Sequence, residues 1–200
     1  MRNDDKRVQK TRSALRNALI HLMKTKSIDE ITVKQLCLAA NIQRSTFYCH
    51  YNLPLDILSE IEDEVIAEIK EIMPNPDDCT RRYTFILYEK AFEVFYRHPD
   101  LSWLLMGKHT DKKFSRKFAA LLYEVLIKEW SSLYKLQNKA IMGYAFEFFA
   151  AGTLGVIHKW VCEGLNEKPA ELAIIIQQFI VSGEQTILFN PSPATASTSL

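Results

Sequence analysis

Apolar residues recur at helical spacing along most of the 200-residue chain. Leu15 and Leu19 share one face of a helix, and Leu58, Ile61 and Val65 share a face of another. No stretch alternates apolar and polar residues for long enough to indicate a β-sheet. The pattern therefore predicts an all-α fold.

Helix-breaking residues divide this pattern into about nine helices. Asn41 predicts a turn, because asparagine tolerates the left-handed conformation, and Pro74–Pro76 predicts the end of a long helix. The last eleven residues, 190–200, have a Pro/Ser/Thr/Ala composition that is typical of a disordered tail. The predicted helices are Val8–Thr25, Val33–Ala40, Gln43–His50, Pro54–Met73, Asp78–Arg97, Asp100–Lys108, Lys112–Tyr134, Lys139–Glu163 and Pro169–Ile187.

The net charge of +1 hides an asymmetry between the two ends of the chain. Residues 1–52 carry ten lysines and arginines against four acidic residues, whereas the remainder carries 15 basic and 20 acidic residues. A basic segment joined to an acidic remainder indicates that one end meets a polyanion such as nucleic acid. Ordinary surface variation is the alternative explanation.

The sequence contains no pattern of metal-binding or catalytic residues. Its four cysteines (Cys37, Cys49, Cys79 and Cys162) and five histidines have no metal-ligand spacing, so we expect neither a metal nor a cofactor. A nucleophile elbow, a phosphate loop and a paired-histidine zinc motif are all absent from the sequence. We therefore expect no enzymatic activity, although dispersed catalytic residues would leave no such motif.

Residues 140–157 are mostly apolar and resemble a membrane span in length. Glu147 lies in the middle of this run, where an ionised carboxylate would cost roughly 2.5–3.5 kcal/mol in a bilayer. A helix buried between protein surfaces is the better interpretation. Since charged residues rather than an apolar signal segment follow Met1, we expect a cytoplasmic protein that does not enter a membrane.

The strongest local signal is Ile31–Tyr51, ITVKQLCLAANIQRSTFYCHY. Two short helices that cross at a tight turn need apolar residues, and one small residue, where they meet. Leu36 and Phe47 supply the apolar contact and Cys37 the small side chain. The pattern predicts a helix-turn-helix whose second helix has a polar outer face.

That outer face carries side chains suited to a DNA duplex. Arginine bonds guanine at two acceptors, and serine and threonine bond several base edges. Tyrosine, histidine and lysine reach phosphates, and Thr32 is expected to cap the first helix of the motif. A solvated helix face is the alternative. The predicted DNA contacts are Thr32, Lys34, Gln43, Arg44, Ser45, Thr46, Tyr48, His50 and Tyr51.

This stretch resembles the DNA-binding domain of the tetracycline-repressor (TetR) family of transcription regulators. The likeness covers about residues 8–68, and R-S-T-F-Y-x-H-Y at 44–51 is close to the family's recognition-helix pattern. It implies a helix-turn-helix domain at 8–68 and a helical effector-binding and dimerisation domain at 69–189. It also implies a homodimeric repressor that binds double-stranded DNA.

Three residues depart from the family pattern. Asn41 stands where glycine is usual, Cys49 where arginine or lysine is frequent, and Pro54 where a lysine commonly touches the DNA backbone. The last two departures predict a salt dependence weaker by about 0.9 in log–log slope per lost phosphate contact. A redox-active Cys49 is a less favoured interpretation than a tolerated small side chain.

The helices that begin at Lys139 and Pro169 are the expected dimer elements. They are apolar on several sides, so other helices must cover them, and a pair from each of two subunits would form a four-helix interface. An intramolecular core is the alternative. The predicted interface residues are Phe149, Gly152, Val156, Trp160, Ile176, Phe179 and Ile180.

Aromatic residues of the C-terminal half are candidates for an effector pocket. Glu93, Glu124 and Glu147 lie on or near the same faces, so the expected effector is a small apolar or cationic molecule. A co-activator or adaptor whose C-terminal domain binds a partner protein remains the alternative. The predicted pocket residues are Phe92, Phe95, Trp103, Tyr123 and Phe146.

Overall fold

The computed structural model describes residues 2–72, 81–107, 112–133 and 139–189. Within these ranges the chain forms nine α-helices, one 3-10 turn at Ile28–Glu30 and no strand. The all-α prediction is confirmed. The helices are α1 (Arg2–Met23), α2 (Val33–Ala40), α3 (Arg44–Tyr48), α4 (Pro54–Glu71), α5 (Arg81–Arg97), α6 (Pro99–Met106), α7 (Lys112–Leu133), α8 (Lys139–Cys162) and α9 (Pro169–Phe189).

The helix boundaries agree with the predicted ones to within a few residues, with one exception. Helix α1 begins at Arg2 rather than at Val8. Helix α3 ends at Tyr48, two residues before the predicted end, and the amides of His50 and Tyr51 both donate to the carbonyl of Phe47 at 2.9 Å. The predicted break at 74–76, the first residues of the fifth predicted helix and the tail at 190–200 lie outside the described residues.

Prolines and one glycine turn set several of the helix ends. Pro54, Pro99 and Pro169 open α4, α6 and α9, where the missing N–H of proline would have no helical partner. Gly164 has φ +94° and Leu165 has φ 59° in the turn between α8 and α9. The turn confirms the break predicted at Gly164.

A continuous apolar core runs through both halves of the described chain. In the N-terminal half it contains Leu19, Leu36 and Phe47, each without exposed surface. In the C-terminal half it is aromatic, and Phe95 packs against Phe114 and Phe118 with ring centres about 6 Å apart. None of the helices in the described part of the chain is long and apolar enough to cross a membrane.

Helix α4 connects the N-terminal unit (α1–α3) to the C-terminal unit (α5–α9). It packs against α1 on one side and against α5 and α7 on the other. Its buried residues Ile57, Ile61, Val65 and Ile69 lie four positions apart, which is a spacing of one helix face. A shift of α4 would therefore move the N-terminal unit relative to the C-terminal one.

Candidate nucleic-acid interface

Helix α2 is defined at both ends by local side-chain and backbone chemistry. Thr32 Oγ1 accepts from the amide of Gln35 at 3.3 Å, and the Gln35 side chain accepts from the Thr32 amide at 3.0 Å. This reciprocal capping box confirms Thr32 as the N-cap. At the other end Asn41 adopts the left-handed conformation, with φ 54° and ψ 47°. The turn predicted at this asparagine is confirmed.

The short helix α3 is anchored by one ring and exposes the rest of its surface. Phe47 is completely buried, while Tyr48 is 58% exposed. Phe47 also contacts the ring of Tyr51, with centres 6.1 Å apart. The exposed or half-exposed predicted contacts of this region are Gln43, Arg44, Ser45, Thr46, Tyr48 and His50.

Two further predicted contacts lie at the start of α2. Thr32 and Lys34 are both exposed, and the hydroxyl of Thr32 is held by Gln35. The first amides of a helix lack helical partners and carry partial positive charge, which favours an anion nearby. Lys34 adds a full positive charge at the same place.

Tyr51 was predicted to contact DNA, which requires an exposed hydroxyl, but the structure places this side chain in the interior. Its side chain is only 7% exposed, and its phenol accepts from Arg12 Nε at 3.0 Å and donates to Glu60 Oε2 at 2.9 Å. Arg12 Nη2 also lies 2.6 Å from Glu60 Oε2. Because the hydroxyl has two protein partners, Tyr51 is a residue that holds α3 in place and not an exposed phosphate donor.

These contacts also change the acidity of the groups involved. Hydrogen bonds to Tyr51 and to Glu60 raise the pKa of the Arg12 guanidinium. Burial raises the pKa of the Tyr51 phenol, and the hydrogen bond from Arg12 opposes that rise. Both groups therefore keep their protons at neutral pH.

Sequence reasoning missed Arg12 and Arg16 as structural residues. Arg16 pairs with Glu64 as Arg12 does with Glu60, so two basic residues four apart on α1 face two acidic residues four apart on α4. Residues four apart lie on the same face of a helix. That matched spacing is the signal that would have identified the contact.

The two cysteines of the motif differ in exposure. Cys49 is exposed, and its thiol lies 3.2 Å from the carbonyl oxygen of Ser45. Cys37 is buried, and burial raises its pKa while the charge of Arg44 works in the other direction. In the described part of the chain no group of three His, Cys, Asp or Glu side chains is placed to hold a metal ion.

Pro54 occupies the first position of α4 and is buried. The carboxylate of Asp56 accepts from the backbone amides of Asn52 and Leu53 at 2.8 and 2.9 Å. These bonds satisfy amides at the start of α4. At this position the chain has a carboxylate cap and a buried ring, and no cation.

Comparison with known proteins connects this geometry to a family. Residues 85–182 match a TetR family of C-terminal domains described as "Transcriptional regulator C-terminal region". The helix-turn-helix at the N-terminus agrees with this match. Over residues 85–182 the chain is similar to TetR-family transcription regulators.

Solved structures with the same fold are similar to this chain over most of their length. A TetR transcriptional regulator from Streptococcus agalactiae 2603V is 21% identical with a TM-score of 0.66, over 88% of this chain and 97% of that one. The fatty acid degradation regulator FadR from Bacillus halodurans is 17% identical with a TM-score of 0.65, over 86% and 95% of the two chains. The dihydroxyacetone kinase operon activator DhaS is also 17% identical, with a TM-score of 0.57 over 86% and 95%.

No curated protein matches the sequence of the chain. The matched family and these structures are transcription regulators rather than enzymes, as the sequence predicts. The all-helical arrangement of the chain is thus the fold of TetR-type transcription regulators.

The aromatic residues predicted to form an effector pocket are distributed through the C-terminal unit. Phe92 and Phe95 are buried, and Phe92 packs edge-on against Trp160 with ring centres 5.8 Å apart. Tyr123 is 47% exposed and contacts Phe146 at 4.7 Å. Trp103 is half-buried. Of the predicted pocket residues, Tyr123 and Phe146 are in contact with each other, whereas Phe92 and Phe95 pack against other aromatic rings of the core.

The three acidic residues predicted near these rings do not lie in the buried interior. Glu93 is half-buried and pairs with Lys90 at 3.0 Å. Glu124 and Glu147 are exposed. None of these three side chains is buried beside the aromatic core.

Six of the seven predicted dimer residues surround one cavity of about 240 Å³ between α8 and α9. Phe179 is 64% exposed there, and the neighbouring Phe148 is 72% exposed. Trp160 lies elsewhere: it is 2% exposed, and its indole N–H donates to the carbonyl of Glu167 at 3.1 Å. The six residues are Phe149, Gly152, Val156, Ile176, Phe179 and Ile180.

Proposed function

We propose that the protein is a cytoplasmic homodimeric repressor that binds a near-palindromic operator and is released by a small molecule. The observation that carries this proposal is the orientation of α3. It buries Phe47 completely and leaves Arg44, Ser45 and Tyr48 on the exposed side. A short helix with this outer face fits a DNA major groove, whose edges offer the acceptors and methyl groups that such side chains recognise.

The proposed DNA contacts are of two kinds, those to base edges and those to phosphates. Arg44, Ser45 and Thr46 are proposed to bond base edges, and loss of a bidentate arginine contact costs about 1–3 kcal/mol of discrimination. Tyr48 and His50 are proposed to bond phosphates. At the margins of the motif, Gln43 and the cap of α2 with Thr32 and Lys34 complete the contact set. Tyr51 is left out of it, since its hydroxyl bonds Arg12 and Glu60.

Two copies of the chain are proposed to pair through α8 and α9. Phe148 and Phe179, which are 72% and 64% exposed, line the open cavity between these helices, and Tyr144 of α8 is also exposed (79%). Contiguous apolar surface of this kind marks a protein interface. A two-fold dimer would place two recognition helices about 34–36 Å apart, one turn of the duplex.

The adaptor function remains a second candidate, and one observation favours it. Phe92 and Phe95, which were expected to line an effector pocket, are fully packed in the core. A thermal-shift screen of small apolar and cationic molecules separates the two candidates. A ligand at 100 times its dissociation constant stabilises its protein by about 2.7 kcal/mol. A screen without any such shift, together with capture of a partner protein by the C-terminal unit, would support the adaptor.

Selection of bound sequences from random DNA tests the central proposal. The wild-type chain should enrich two similar half-sites in inverted orientation about one helical turn apart. Arg44→Ala should lose preference at one base position of each half-site, and Tyr48→Ala should weaken binding to all sequences alike. Lys128→Ala, at an exposed position of α7, is the matched control. Enrichment of no sequence, or equal behaviour of all three variants, would refute the proposal.

A further inference from the structure

Helix α4 carries one carboxylate that is removed from solvent. Glu62 is 1% exposed, whereas its neighbour Asp63 has a side chain that is 70% exposed. The ammonium of Lys117, on α7, lies 2.8 Å from Glu62 Oε2. A carboxylate without water around it needs a cation nearby, because it is otherwise an uncompensated buried charge. Glu62 is therefore dependent on Lys117.

The ammonium of Lys117 contacts the carboxylates of both Glu62 and Asp63, but the two contacts differ. It donates a hydrogen bond to Asp63 Oδ1 at 2.7 Å. Toward Glu62 the contact is an ion pair, and Oε2 of Glu62 accepts no well-directed hydrogen bond from the described residues. The exposed carboxylate thus has a hydrogen bond from the ammonium as well as water, while Oε2 of the buried one has the charge of the ammonium 2.8 Å away.

A second contact one helical turn away fixes the register of the two helices. Lys113 Nζ donates to Ser59 Oγ at 2.8 Å. Lys113 and Lys117 are four residues apart on α7, as Ser59 and Asp63 are on α4, so the two helices run parallel along this contact. A displacement of α4 along α7 would break both contacts and leave the Glu62 carboxylate buried without its cation.

Among the described residues, the other ion pairs between residues 2–72 and the C-terminal unit do not contain a buried carboxylate. Lys24 pairs with Asp100 at 2.9 Å, but the two side chains are 48% and 70% exposed. Arg97 pairs with Glu68 at 3.2 Å, with 54% and 36% exposure. In exposed ion pairs water readily replaces the partner, so such pairs contribute little to stability. Of these contacts, the one between Lys117 and Glu62 resists displacement most.

We propose that Lys117 is a positioning residue for DNA recognition, which acts through Glu62 to hold α4, and with it α3, at a fixed place relative to α7. The inference rests on the proposed role of α3 and adds the element that sets its position. A molecule or partner that displaces α7 would act on DNA binding through this pair.

The test compares variants of the full chain on the operator sequence selected by the wild type. Lys117→Met should weaken operator binding at least tenfold, and Asp63→Asn, which alters the exposed partner of the same ammonium, should stay within twofold. The exchanged pair Glu62→Lys with Lys117→Glu should return affinity to within about threefold of the wild type. If Lys117→Met is too unstable to purify, Glu62→Gln with Lys117→Met removes both charges and should show the same tenfold loss.

A readout without DNA distinguishes failure of this inference from failure of the proposed function. Amide hydrogen exchange in residues 54–71 should rise in Lys117→Met and remain at the wild-type level in Asp63→Asn. Wild-type affinity in Lys117→Met with a lowered melting temperature would overturn the positioning role and leave only a stabilising one. Equal losses in Lys117→Met and Asp63→Asn would overturn it as well. If the wild type binds no DNA, the proposed function fails, and the exchange measurement still decides whether Lys117 positions α4.

Discussion

The Nε of Arg12 donates to the phenolic oxygen of Tyr51 at 3.0 Å, and the guanidinium lies 5.7 Å from the centre of the same ring. This contact joins the first helix of the chain to the segment directly after α3. Through the second bond of the phenol, to Glu60, the segment is also tied to α4. The position of α3 therefore depends on a half-buried polar cluster as well as on the apolar anchor Phe47.

Tyr51→Phe should destabilise the protein by about 0.5–1.5 kcal/mol, the usual net value of hydrogen bonds lost from a folded protein. The substitution removes only the hydroxyl and leaves Arg12 and Glu60 to pair with each other, so a larger loss is not expected. Urea denaturation followed by circular dichroism measures the change. Tyr48→Phe, at a 58% exposed position, is the control and should leave stability unaltered. The reverse order of the two variants would contradict this role of Tyr51.

The same cluster predicts a change of stability at alkaline pH. Burial raises the pKa of the Tyr51 phenol above its ordinary value of 10.0. Above that pH the unfolded chain loses a proton that the folded chain retains, so the free energy of unfolding falls. The contribution of the Tyr51 proton to the free energy of unfolding is fully present below pH 10 and declines as the pH rises toward the pKa of Tyr51 in the folded state.

Ultraviolet titration of tyrosinate can detect this group. The difference between the wild type and Tyr51→Phe should be one tyrosine that ionises later than an unstructured one. Tyr48→Phe, which removes an exposed phenol, is the comparison. A difference curve centred at or below pH 10 would show that the folded structure does not protect the Tyr51 proton.

The turn between α2 and α3 gives a prediction about Asn41. Its φ of 54° and ψ of 47° lie in the left-handed region, which costs residues with an ordinary side chain roughly 1–2 kcal/mol. Asn41→Ala should therefore lower the free energy of unfolding by about 1 kcal/mol, whereas Asn41→Gly should equal or exceed the wild type. Thermal denaturation compares the three proteins. A glycine variant less stable than the alanine variant would mean that the Asn41 side chain makes a contact more important than the backbone conformation.

The elements that the sequence predicted well are those with local signals. Thr32 and Gln35 form a capping box within four residues of each other, and Asn41 is one of few residue types that accept the left-handed turn. The bounds of α2 could be read from these residues alone. The burial of Phe47 likewise follows from the requirement for an apolar anchor where two short helices cross.

Two residues lie elsewhere than the sequence predicts, because their positions depend on contacts between distant parts of the chain. The sequence predicts Tyr51 as a DNA contact within the helix-turn-helix motif, but its hydroxyl bonds Arg12, 39 residues earlier in the sequence. Trp160 shares a helical stripe with the residues around the cavity between α8 and α9, yet its ring packs against Phe92 and Tyr96. In an α8 helix that is apolar on nearly every side, periodicity does not tell which face meets the core.

The exposed aromatic surface of α8 and α9 predicts how a charge would alter assembly. Phe179→Lys places an ammonium at a 64% exposed ring position beside the cavity, and a second copy could cover it only by burying an unpaired charge. We expect a monomer by light scattering. Operator affinity should fall at least tenfold, because the two half-sites are no longer held by one molecule. Leu38→Lys, at an 81% exposed position of α2, should leave the oligomeric state unchanged. A Phe179→Lys protein that remains dimeric would place the interface on another surface of the chain, and a wild type that is already monomeric would exclude a dimer at the concentration measured.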